Sequence, residues 1–408
     1  MDHASASPGA PLVFRKGLDL KQAVAGSLIA DYHSAIVERV KAAGFRHDTP
    51  SITIHLAREF GFCYGVDRAV DYAYQARHRF PDRQVFLTGE IIHNPRVNDR
   101  LRSLGIRFLT DWGESVGNVE AGDVVILPAF GVPVGMLLDL ERRGCTLVDT
   151  TCGSVLNVWK TVKRYAQDGF TAIIHGKVHH EETRATASQA LRCPGGRYLV
   201  VLDREQAAGV CEYIRRGGDR QAFLQHFADA SSQGFDPDVD LDRIGLANQT
   251  TMLMSESLAI GEQFREAMCE RHGEAALAAH FRSFETICSA TQDRQDAVVT
   301  LLEEQRLDLM IVIGGYNSSN TGNLARICGA RLPTYHIADA DCMLSAEVIR
   351  HRPVEGGAEV QATDWLPATR PLRVGVTAGA STPDVIVGAV IEKLEVFAAG
   401  KKALDLRP

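Results

Sequence analysis

The feature that most constrains the fold of this chain is a repeated unit: a short β-rich run, a turn, and then a helical pattern. Residues 52–56 alternate apolar and polar side chains as a strand does, and the residues after Cys63 place apolar side chains at helical spacing. Further β-rich runs that precede a helical pattern lie at residues 85–88, 124–127, 171–174, 309–313 and 373–377. Strands that alternate with helices are typical of βαβ units, so the sequence predicts an α/β protein with mainly parallel sheets.

The composition limits where the protein works and what it binds. With 45% hydrophobic residues and a formal net charge of −7, the chain is expected to be globular and not to coat nucleic acid. It lacks an apolar run of about 18 residues, so no membrane partner is expected. The first residues do not resemble a secretory signal, and nine cysteines without a CxxC pair do not suggest a disulfide framework. We therefore expect a cytoplasmic protein with reduced thiols.

Three of the nine cysteines share a local context. Cys63, Cys152 and Cys288 each close a strand-like segment, and each precedes a helical pattern. A cysteine in that position lies at the positive end of the helix dipole, which favours the thiolate, the form that ligates soft metals. The others lack this pattern and are interpreted as structural: Cys145, Cys193, Cys211, Cys269, Cys328 and Cys342.

The three matched cysteines predict a shared metal centre. Three thiolates can hold three corners of an iron–sulfur cubane and leave one iron open for chemistry, by the same logic as the open position of a catalytic zinc site. From the residues alone, zinc is as defensible as an iron–sulfur cluster. Ordinary packing of all three cysteines remains the alternative to either.

The same cysteines suggest a division of the chain. The interval from Cys152 to Cys288 exceeds that from Cys63 to Cys152 by about the length of segment 203–243, which is polar and looks like an inserted helical excursion rather than core. We therefore predict three related α/β lobes, each bringing one cysteine to a common centre. The divisions are a helical extension at 1–50, then lobes at 51–151 (Cys63), 152–286 (Cys152, with the insertion) and 287–400 (Cys288, with a C-terminal strand and helix).

Other strand ends carry hydroxyl, amide and imidazole side chains. Asn94 and Pro95 are typical of a helix start, which leaves His93 at the strand-to-helix corner. Residues 314–322 and 378–384 crowd small and hydroxyl-bearing side chains before helical patterns. Helix N-termini of this kind suit a diphosphate, although simple capping explains any one of them alone. Neither a Walker P-loop nor a convincing dinucleotide fingerprint is present, so nucleotide hydrolysis and hydride transfer have no support.

Residues 175–183 concentrate histidines and carboxylates at one further strand end. A carboxylic acid there could deliver a proton, and a histidine could meet a phosphate. Alternatively, Glu181 and Glu182 are first-turn acids that complement the helix dipole.

Taken together, these segments resemble the LytB/IspH family, the 4-hydroxy-3-methylbut-2-enyl diphosphate reductases that act last in the non-mevalonate isoprenoid pathway. The resemblance runs from about Ser51 to Leu394. It rests on GFCYGVDRAV, EIIHNPRVNDRL, DTTC, HGKVHHEETRATAS, ANQTTML, TICSATQDRQDAV, GGYNSSNT and GVTAGASTPD. The residues before Ser51 and the 203–243 segment look like the plant and cyanobacterial branch.

The resemblance implies a site. It implies a trefoil of three α/β lobes around one [4Fe–4S] cluster per chain, with one iron open to the substrate hydroxyl. The implied cluster ligands are Cys63, Cys152 and Cys288, and Glu182 is the implied catalytic proton donor. The implied substrate-binding residues are His93, His180, Thr250, Ser318, Ser319, Asn320 and Ser381.

It also implies partners. Two electrons from ferredoxin or flavodoxin would remove the hydroxyl of the allylic diphosphate as water and yield isopentenyl and dimethylallyl diphosphate. A monomer or weak homodimer is expected.

The chain departs from the common bacterial pattern in two places. Phe130 stands where bacterial members carry a histidine, as it does in the plant-like branch. Gly153 and Ser154 follow Cys152, where the family usually has proline and a bulky residue. Glycine lacks the fixed φ of proline, so we expect altered cluster stability rather than lost function.

Two other functions fit the residues without the resemblance. An iron–sulfur hydro-lyase would use the open iron as a Lewis acid with no net electron transfer. A non-catalytic cluster or zinc protein would act as a redox sensor. The combination of His93, His180, Glu182 and Asn320 argues against the sensor, because a sensor needs no substrate pocket.

Overall fold

The structure is a computed structural model that describes residues 12–111, 113–368 and 371–404. Its helices are α1 (Lys21–Tyr32), α2 (Ala35–Ala42), α3 (Tyr64–Arg79), α4 (Pro95–Ser103), α5 (Val134–Arg142), α6 (Gly153–Gln167), α7 (Glu181–Ala190), α8 (Arg204–Arg216), α9 (Arg220–His226), α10 (Pro237–Asp240), α11 (Met254–His272), α12 (Leu277–His280), α13 (Ser289–Glu304), α14 (Ser319–Gly329) and α15 (Asp384–Leu404). Its strands are β1 (Val13–Phe14), β2 (Arg46–Asp48), β3 (Ile52–Leu56), β4 (Val85–Leu87), β5 (Ile106–Phe108), β6 (Val124–Leu127), β7 (Thr146–Asp149), β8 (Thr171–His175), β9 (Tyr198–Val201), β10 (Ile244–Asn248), β11 (Phe281–Ser283), β12 (Leu309–Ile313), β13 (Thr334–Ile337), β14 (Val348–His351), β15 (Val360–Thr363) and β16 (Leu372–Ala378).

Three sheets consist mainly of parallel strands. The first has the order β1-β7-β6-β4-β5 and the second β11-β10-β8-β9, and every neighbouring pair in both is parallel. The third has the order β13-β12-β16-β3-β2 and is parallel except for the edge pair of β2 and β3. β14 and β15 form a separate antiparallel pair. The predicted α/β class with mainly parallel sheets is confirmed.

The chain divides into two compact units. Of the described residues, the first takes those up to Lys16, then Phe80–Gly89 and those of Ile106–Cys288, and it holds the first two sheets. The second takes Gly17–Arg79, Glu90–Gly105 and the chain from Ser289 onward, and it holds the third sheet and the β14–β15 pair. Among the described residues, no helix combines the length and the apolar character needed to cross a bilayer.

Strand pairing does not follow the sequential division drawn from the cysteine spacing. β3, which leads to Cys63, pairs with β16 near the other end of the chain, in register from Ile52 and Leu372 onward. β7, which leads to Cys152, pairs with β6 instead. Parallel neighbours need not be consecutive in sequence, and local patterns carry no information about which strands pair.

Residues 12–50, the described part of the predicted extension, also join the sheets. They form α1 and α2, and β1 and β2 pair with β7 and β3 respectively. Val37 and Val40 on α2 are fully buried in the core of the second unit. Residues 1–11 of the predicted extension lie outside the described residues.

The 203–243 segment is helical, as predicted, but the expectation that it stands outside the core is wrong. Its polar composition hides an apolar face: Val210, Phe223 and Phe235 pack with Leu199 and Ile244 in one cluster of the first unit. Phe223 lies 4.8 Å from Tyr213, measured between ring centroids. A short amphipathic helix needs only one apolar stripe to be buried, so overall polarity does not separate an excursion from core.

In a parallel sheet, the loops that follow the strands lie along one edge of the sheet. The predicted site residues lie in those loops or at the starts of the helices that follow them. In the first sheet, β6 and β7 end before Phe130 and Cys152. In the second, β8, β10 and β11 end before Glu182, Thr250 and Cys288; in the third, β3, β12 and β16 end before Cys63, Ser318 and Ser381.

Candidate active site

Each of the three matched cysteines lies directly before the first residue of a helix, as predicted. Cys63 precedes α3, Cys152 precedes α6 and Cys288 precedes α13. All three are partly exposed thiols. Thiols at helix N-termini are stabilised as thiolates by the first-turn N–H groups, so this position suits metal ligation.

The same backbone hydrogen bond fixes each of these cysteines. The cysteine N–H donates to a carbonyl in the loop after the neighbouring parallel strand: Cys63 to Ala380 at 3.2 Å, Cys152 to Ala129 at 3.0 Å and Cys288 to Thr250 at 3.1 Å. Those loops follow β16, β6 and β10. The three cysteines therefore occupy equivalent positions, each in the loop after a strand of a different sheet.

The other cysteines differ in their surroundings. Cys145, Cys211, Cys328 and Cys342 are buried. Burial raises the pKa of Cys211 and of Cys328 to about 12, which keeps both as neutral thiols at physiological pH. Cys269, partly exposed, has a raised pKa because its thiol bonds to Glu274 at 3.0 Å. These surroundings favour a structural role.

Glu182 lies in the first turn of α7 with only 2% of its surface exposed. Its carboxylate accepts the backbone N–H of Thr250 at 2.6 Å and the Thr250 hydroxyl at 3.0 Å. Because the Thr250 carbonyl also accepts the N–H of Cys288, one residue connects the buried acid to a cysteine loop. An acid that only complemented a helix dipole would be exposed, as its neighbour Glu181 is.

His180 caps the same helix. Its Nδ1 accepts the backbone N–H of Glu182 at 3.2 Å, so the neutral ring carries its proton on Nε2 and presents an N–H donor. The ring is buried and meets Phe130 edge to face, with the ring centroids 5.8 Å apart. Phe130 thus supports the orientation of His180 although it cannot itself contact a phosphate by hydrogen bonding.

Gln249 is a residue that the sequence did not single out. Its Oε1 accepts the Lys177 N–H at 3.1 Å and the Thr183 hydroxyl at 3.2 Å, and its Nε2 donates to the Thr251 hydroxyl at 2.8 Å. It ties the loop after β8 to the loop after β10. Its only sequence signal is its place next to Thr250, because a glutamine in a loop has no motif of its own.

His93, in the second unit, is buried at the start of α4. Asn94 caps that helix as predicted, accepting the Val97 N–H at 3.3 Å, with Pro95 as the first helical residue. Glu90, also missed by the sequence analysis, lies 2.8 Å from His93 Nδ1 and makes that nitrogen a donor. The hydroxyl of Ser381 donates to the His93 carbonyl at 3.1 Å.

The start of α14 brings the remaining predicted residues together. Ser318 caps it, with its hydroxyl accepting the Thr321 N–H at 3.3 Å, and Ser319 is its first residue. Asn320 Oδ1 accepts the Ala380 N–H at 3.0 Å. Asn320 Nδ2 is buried and has no partner among the described residues, so a donor is left for a ligand oxygen.

Gly315 is required by the same arrangement. A Cβ at this position would lie 2.3 Å from the carbonyl oxygen of His93, which is a steric overlap. Only glycine therefore lets the loop before α14 approach the loop before α4 this closely.

The structure thus joins the predicted residues within each unit. Glu182, Thr250 and Cys288 are linked in the first unit, which also holds His180 and Cys152. In the second unit, Cys63 and Asn320 share Ala380, and Ser381 contacts His93. The carboxylate group and the anion-binding candidates are thus each assembled around a cysteine loop.

Comparisons with known proteins agree with these observations. The sequence model of the LytB protein family matches residues 54–395. A curated 4-hydroxy-3-methylbut-2-enyl diphosphate reductase from Gloeobacter violaceus is 51% identical over 389 residues, covering 93% of this chain and 91% of that protein. The same-named protein of a Picosynechococcus species is 48% identical and covers 96% of both chains.

Two solved structures are also similar. The structure of (E)-4-hydroxy-3-methyl-but-2-enyl diphosphate reductase, described as the terminal enzyme of the non-mevalonate pathway, has a TM-score of 0.50 at 29% identity over 84% of this chain and 99% of its own. A reductase from Plasmodium falciparum shares the fold with a TM-score of 0.62 at 20% identity, covering 84% of this chain and 88% of its own. The matched family model and the close relatives together show that this chain belongs to the LytB protein family.

Proposed function

We propose that this chain is a 4-hydroxy-3-methylbut-2-enyl diphosphate reductase, which converts the allylic diphosphate to isopentenyl and dimethylallyl diphosphate. The names of its relatives support this reaction. The observation that carries it is the pair of hydrogen bonds from Thr250 to the buried carboxylate of Glu182, next to the loop of Cys288. The overall reaction takes up two electrons and two protons and releases the hydroxyl as water.

Membership of the family implies an iron–sulfur cofactor. We infer a [4Fe–4S] cluster on Cys63, Cys152 and Cys288, with one iron that has no protein ligand. The donor set fits: three partly exposed thiols at helix N-termini, each held by an equivalent backbone bond. When bound, the cluster supplies electrons and a Lewis-acidic iron for the leaving oxygen.

Glu182 and Thr250 deliver a proton in this proposal. A proton held on Glu182 Oε2 passes to the Thr250 hydroxyl, which lies 3.0 Å away, while that hydroxyl gives its own proton to the substrate oxygen. The Thr250 N–H keeps the carboxylate in place during this exchange. Burial excludes water that would compete for the proton.

The proposed diphosphate-binding residues are His93, His180, Ser318, Ser319, Asn320 and Ser381. The best support is at α14, where the buried Asn320 Nδ2 lacks a partner among the described residues and the helix N-terminus favours negative charge. His180 adds the N–H of its Nε2. Hydrogen bonds to backbone groups fix His180, Ser318, Asn320 and Ser381 before substrate arrives, which limits the entropy lost on binding.

The electron donor in this proposal is a reduced ferredoxin or flavodoxin, and the protein acts as a monomer or weak homodimer. An iron–sulfur hydro-lyase would use the same acid and anion site without net electron transfer. A requirement for a reductant therefore distinguishes the two enzymes.

The test begins with protein purified without oxygen and studied by Mössbauer spectroscopy, with and without the allylic diphosphate. We expect a three-to-one division of iron environments, with the unique iron perturbed by substrate, and turnover only with reduced ferredoxin or dithionite. Cys63→Ser should lose the cluster, whereas Cys193→Ser, at a partly exposed structural position, should keep it. Zinc in place of iron, or product without reductant, would overturn the proposal.

A further inference from the structure

Arg294 is a buried cation next to two of the cysteine loops. It lies on the second turn of α13 with 4% of its surface exposed. Its Nη1 donates to the carbonyl of Ala290 at 2.7 Å, and its Nη2 donates to the carbonyl of Gly61 at 2.7 Å. Ala290 is two residues after Cys288, and Gly61 is two residues before Cys63.

The Gly61 carbonyl is itself held in place. Gly61 has φ of +73°, and a Cβ there would lie 3.1 Å from Asp384 Oδ1 and 3.3 Å from the Thr382 carbonyl oxygen. Its N–H donates to the Ala378 carbonyl at 3.3 Å. The guanidinium therefore bonds to a fixed acceptor rather than to a mobile loop.

The charge of Arg294 has no counter-ion among the described residues. Its hydrogen bonds are to two carbonyl oxygens, and its buried Nε has no partner there. Asp384, whose Oδ1 would lie 3.1 Å from a Cβ at Gly61, is paired with Lys41 at 2.8 Å. An unpaired buried charge is costly, and carbonyl dipoles compensate it only in part, so an anion is expected nearby.

We propose that Arg294 is a positioning residue for the Cys63 loop and that its charge balances the anionic cluster centre. The inference rests on the proposed function, because it requires an iron–sulfur cluster on thiolates. A fixed cation stabilises the reduced state, which carries one more negative charge, and so raises the reduction potential. Separately, the bond to Ala290 fixes the guanidinium on its own helix, and the bond to Gly61 ties α13 to the loop that presents Cys63.

If Arg294 had only a structural role, it would make the same hydrogen bonds, but its charge would not affect the reduction potential of the cluster. The two roles are separated by two variants. Arg294→Gln removes the charge and keeps one donor group, and Arg294→Lys keeps the charge but loses the two-pronged fork. Arg306→Gln removes an exposed positive charge just after α13 and serves as the matched control.

The experiment is a redox titration of each anaerobically purified holoprotein, followed by electron paramagnetic resonance, with iron and sulfide content measured alongside. We expect a more negative midpoint potential for Arg294→Gln and a wild-type potential for Arg294→Lys, with faster cluster loss in both variants. Arg306→Gln should match the wild type in both measurements.

Two results would overturn the inference: an unchanged potential in fully loaded Arg294→Gln, or an equal negative shift in Arg294→Lys. If Arg294→Gln cannot be loaded, a shifted potential in fully loaded Arg294→Lys still overturns the inference, because the charge role requires a wild-type potential. Wild-type protein that holds no iron–sulfur cluster would instead defeat the proposed function.

Discussion

Thr250 holds the carboxylate of Glu182 with two hydrogen bonds, one from its N–H at 2.6 Å and one from its hydroxyl at 3.0 Å. The first fixes the acid on the peptide that follows β10, and the second joins its Oε2 to the hydroxyl through which the proposed relay passes. Because the Thr250 carbonyl accepts the Cys288 N–H, the acid and the cysteine loop share one peptide segment. In the proposed reaction, such pre-organisation removes reorganisation from the proton-transfer step.

Thr250→Val should abolish most turnover while leaving the fold intact. Valine has the shape of threonine without the hydroxyl, and the N–H bond to Glu182 remains, so only the relay is lost. We expect kcat to fall about 100-fold or more, the usual scale of general acid catalysis. Thr250→Ser keeps a hydroxyl and should retain much of the rate; equal rates for the valine and serine variants would exclude the relay.

Asn320→Asp should weaken substrate binding more than it slows chemistry. The acid keeps an acceptor for the Ala380 N–H but turns the buried Nδ2 donor into an anionic oxygen that repels a diphosphate. Losing a hydrogen bond to a charged group costs about 1.5–3 kcal/mol, so KM and the inhibition constant of inorganic pyrophosphate should rise about tenfold or more. Asn118→Asp, at an exposed position, controls for the change in net charge.

Gly131→Ala should destabilise the protein, whereas Gly153→Ala should not. Gly131 has φ of +75°, and a Cβ there would lie 2.3 Å from the Trp159 ring. Strain and overpacking of this kind cost about 1–3 kcal/mol. At Gly153, the first residue of α6, a Cβ would meet nothing within 4 Å, so alanine should be neutral or stabilise by up to about 1 kcal/mol. Guanidinium denaturation of both variants tests the contrast, and equal stabilities would refute it.

The buried His336 should make the unfolding free energy depend on pH. Burial lowers its pKa to about 4, from a usual value near 6.5, and its ring lies 3.0 Å from the Gly314 carbonyl through Nε2. Between those pH values the unfolded state binds the extra proton, so this contribution is fully present above pH 6.5 and is lost as pH falls through 4.

The loss for this one histidine should approach about 1.4 kcal/mol per pH unit. His336→Gln can still donate to the carbonyl and should flatten the dependence relative to wild type in denaturation series at pH 7, 6 and 5. Parallel pH profiles for the two proteins would show that His336 contributes nothing.

Local pattern was enough to predict the βαβ units and the position of each matched cysteine before a helix. Periodicity and helix-start chemistry act within a few residues, which is why the Asn94 cap and the Pro95 start were readable. The pairing of β3 with β16 could not be predicted in this way, since it depends on residues far apart in sequence.

The supporting contacts of the site were also beyond the sequence. Gln249, Glu90 and Arg294 matter because of what they touch, and none belongs to a residue type with a fixed functional spacing. The polar composition of segment 203–243 led to the wrong expectation that it lies outside the core. Phe223 and its neighbours bury one face of these otherwise polar helices.

The β3–β16 pairing has a consequence for how the protein matures in the cell. The loop of Cys63 takes its final shape only when Ala380 is available to accept the Cys63 N–H, and Ala380 is synthesised long after Cys63. During synthesis β3 therefore has no β16 strand to pair with, and the pairing of parallel strands so far apart in sequence is expected to be slow. Under the proposed function, iron and sulfide should therefore bind at Cys63 only after β16 has been synthesised, and until then the Cys63 thiol depends on protection from oxidants.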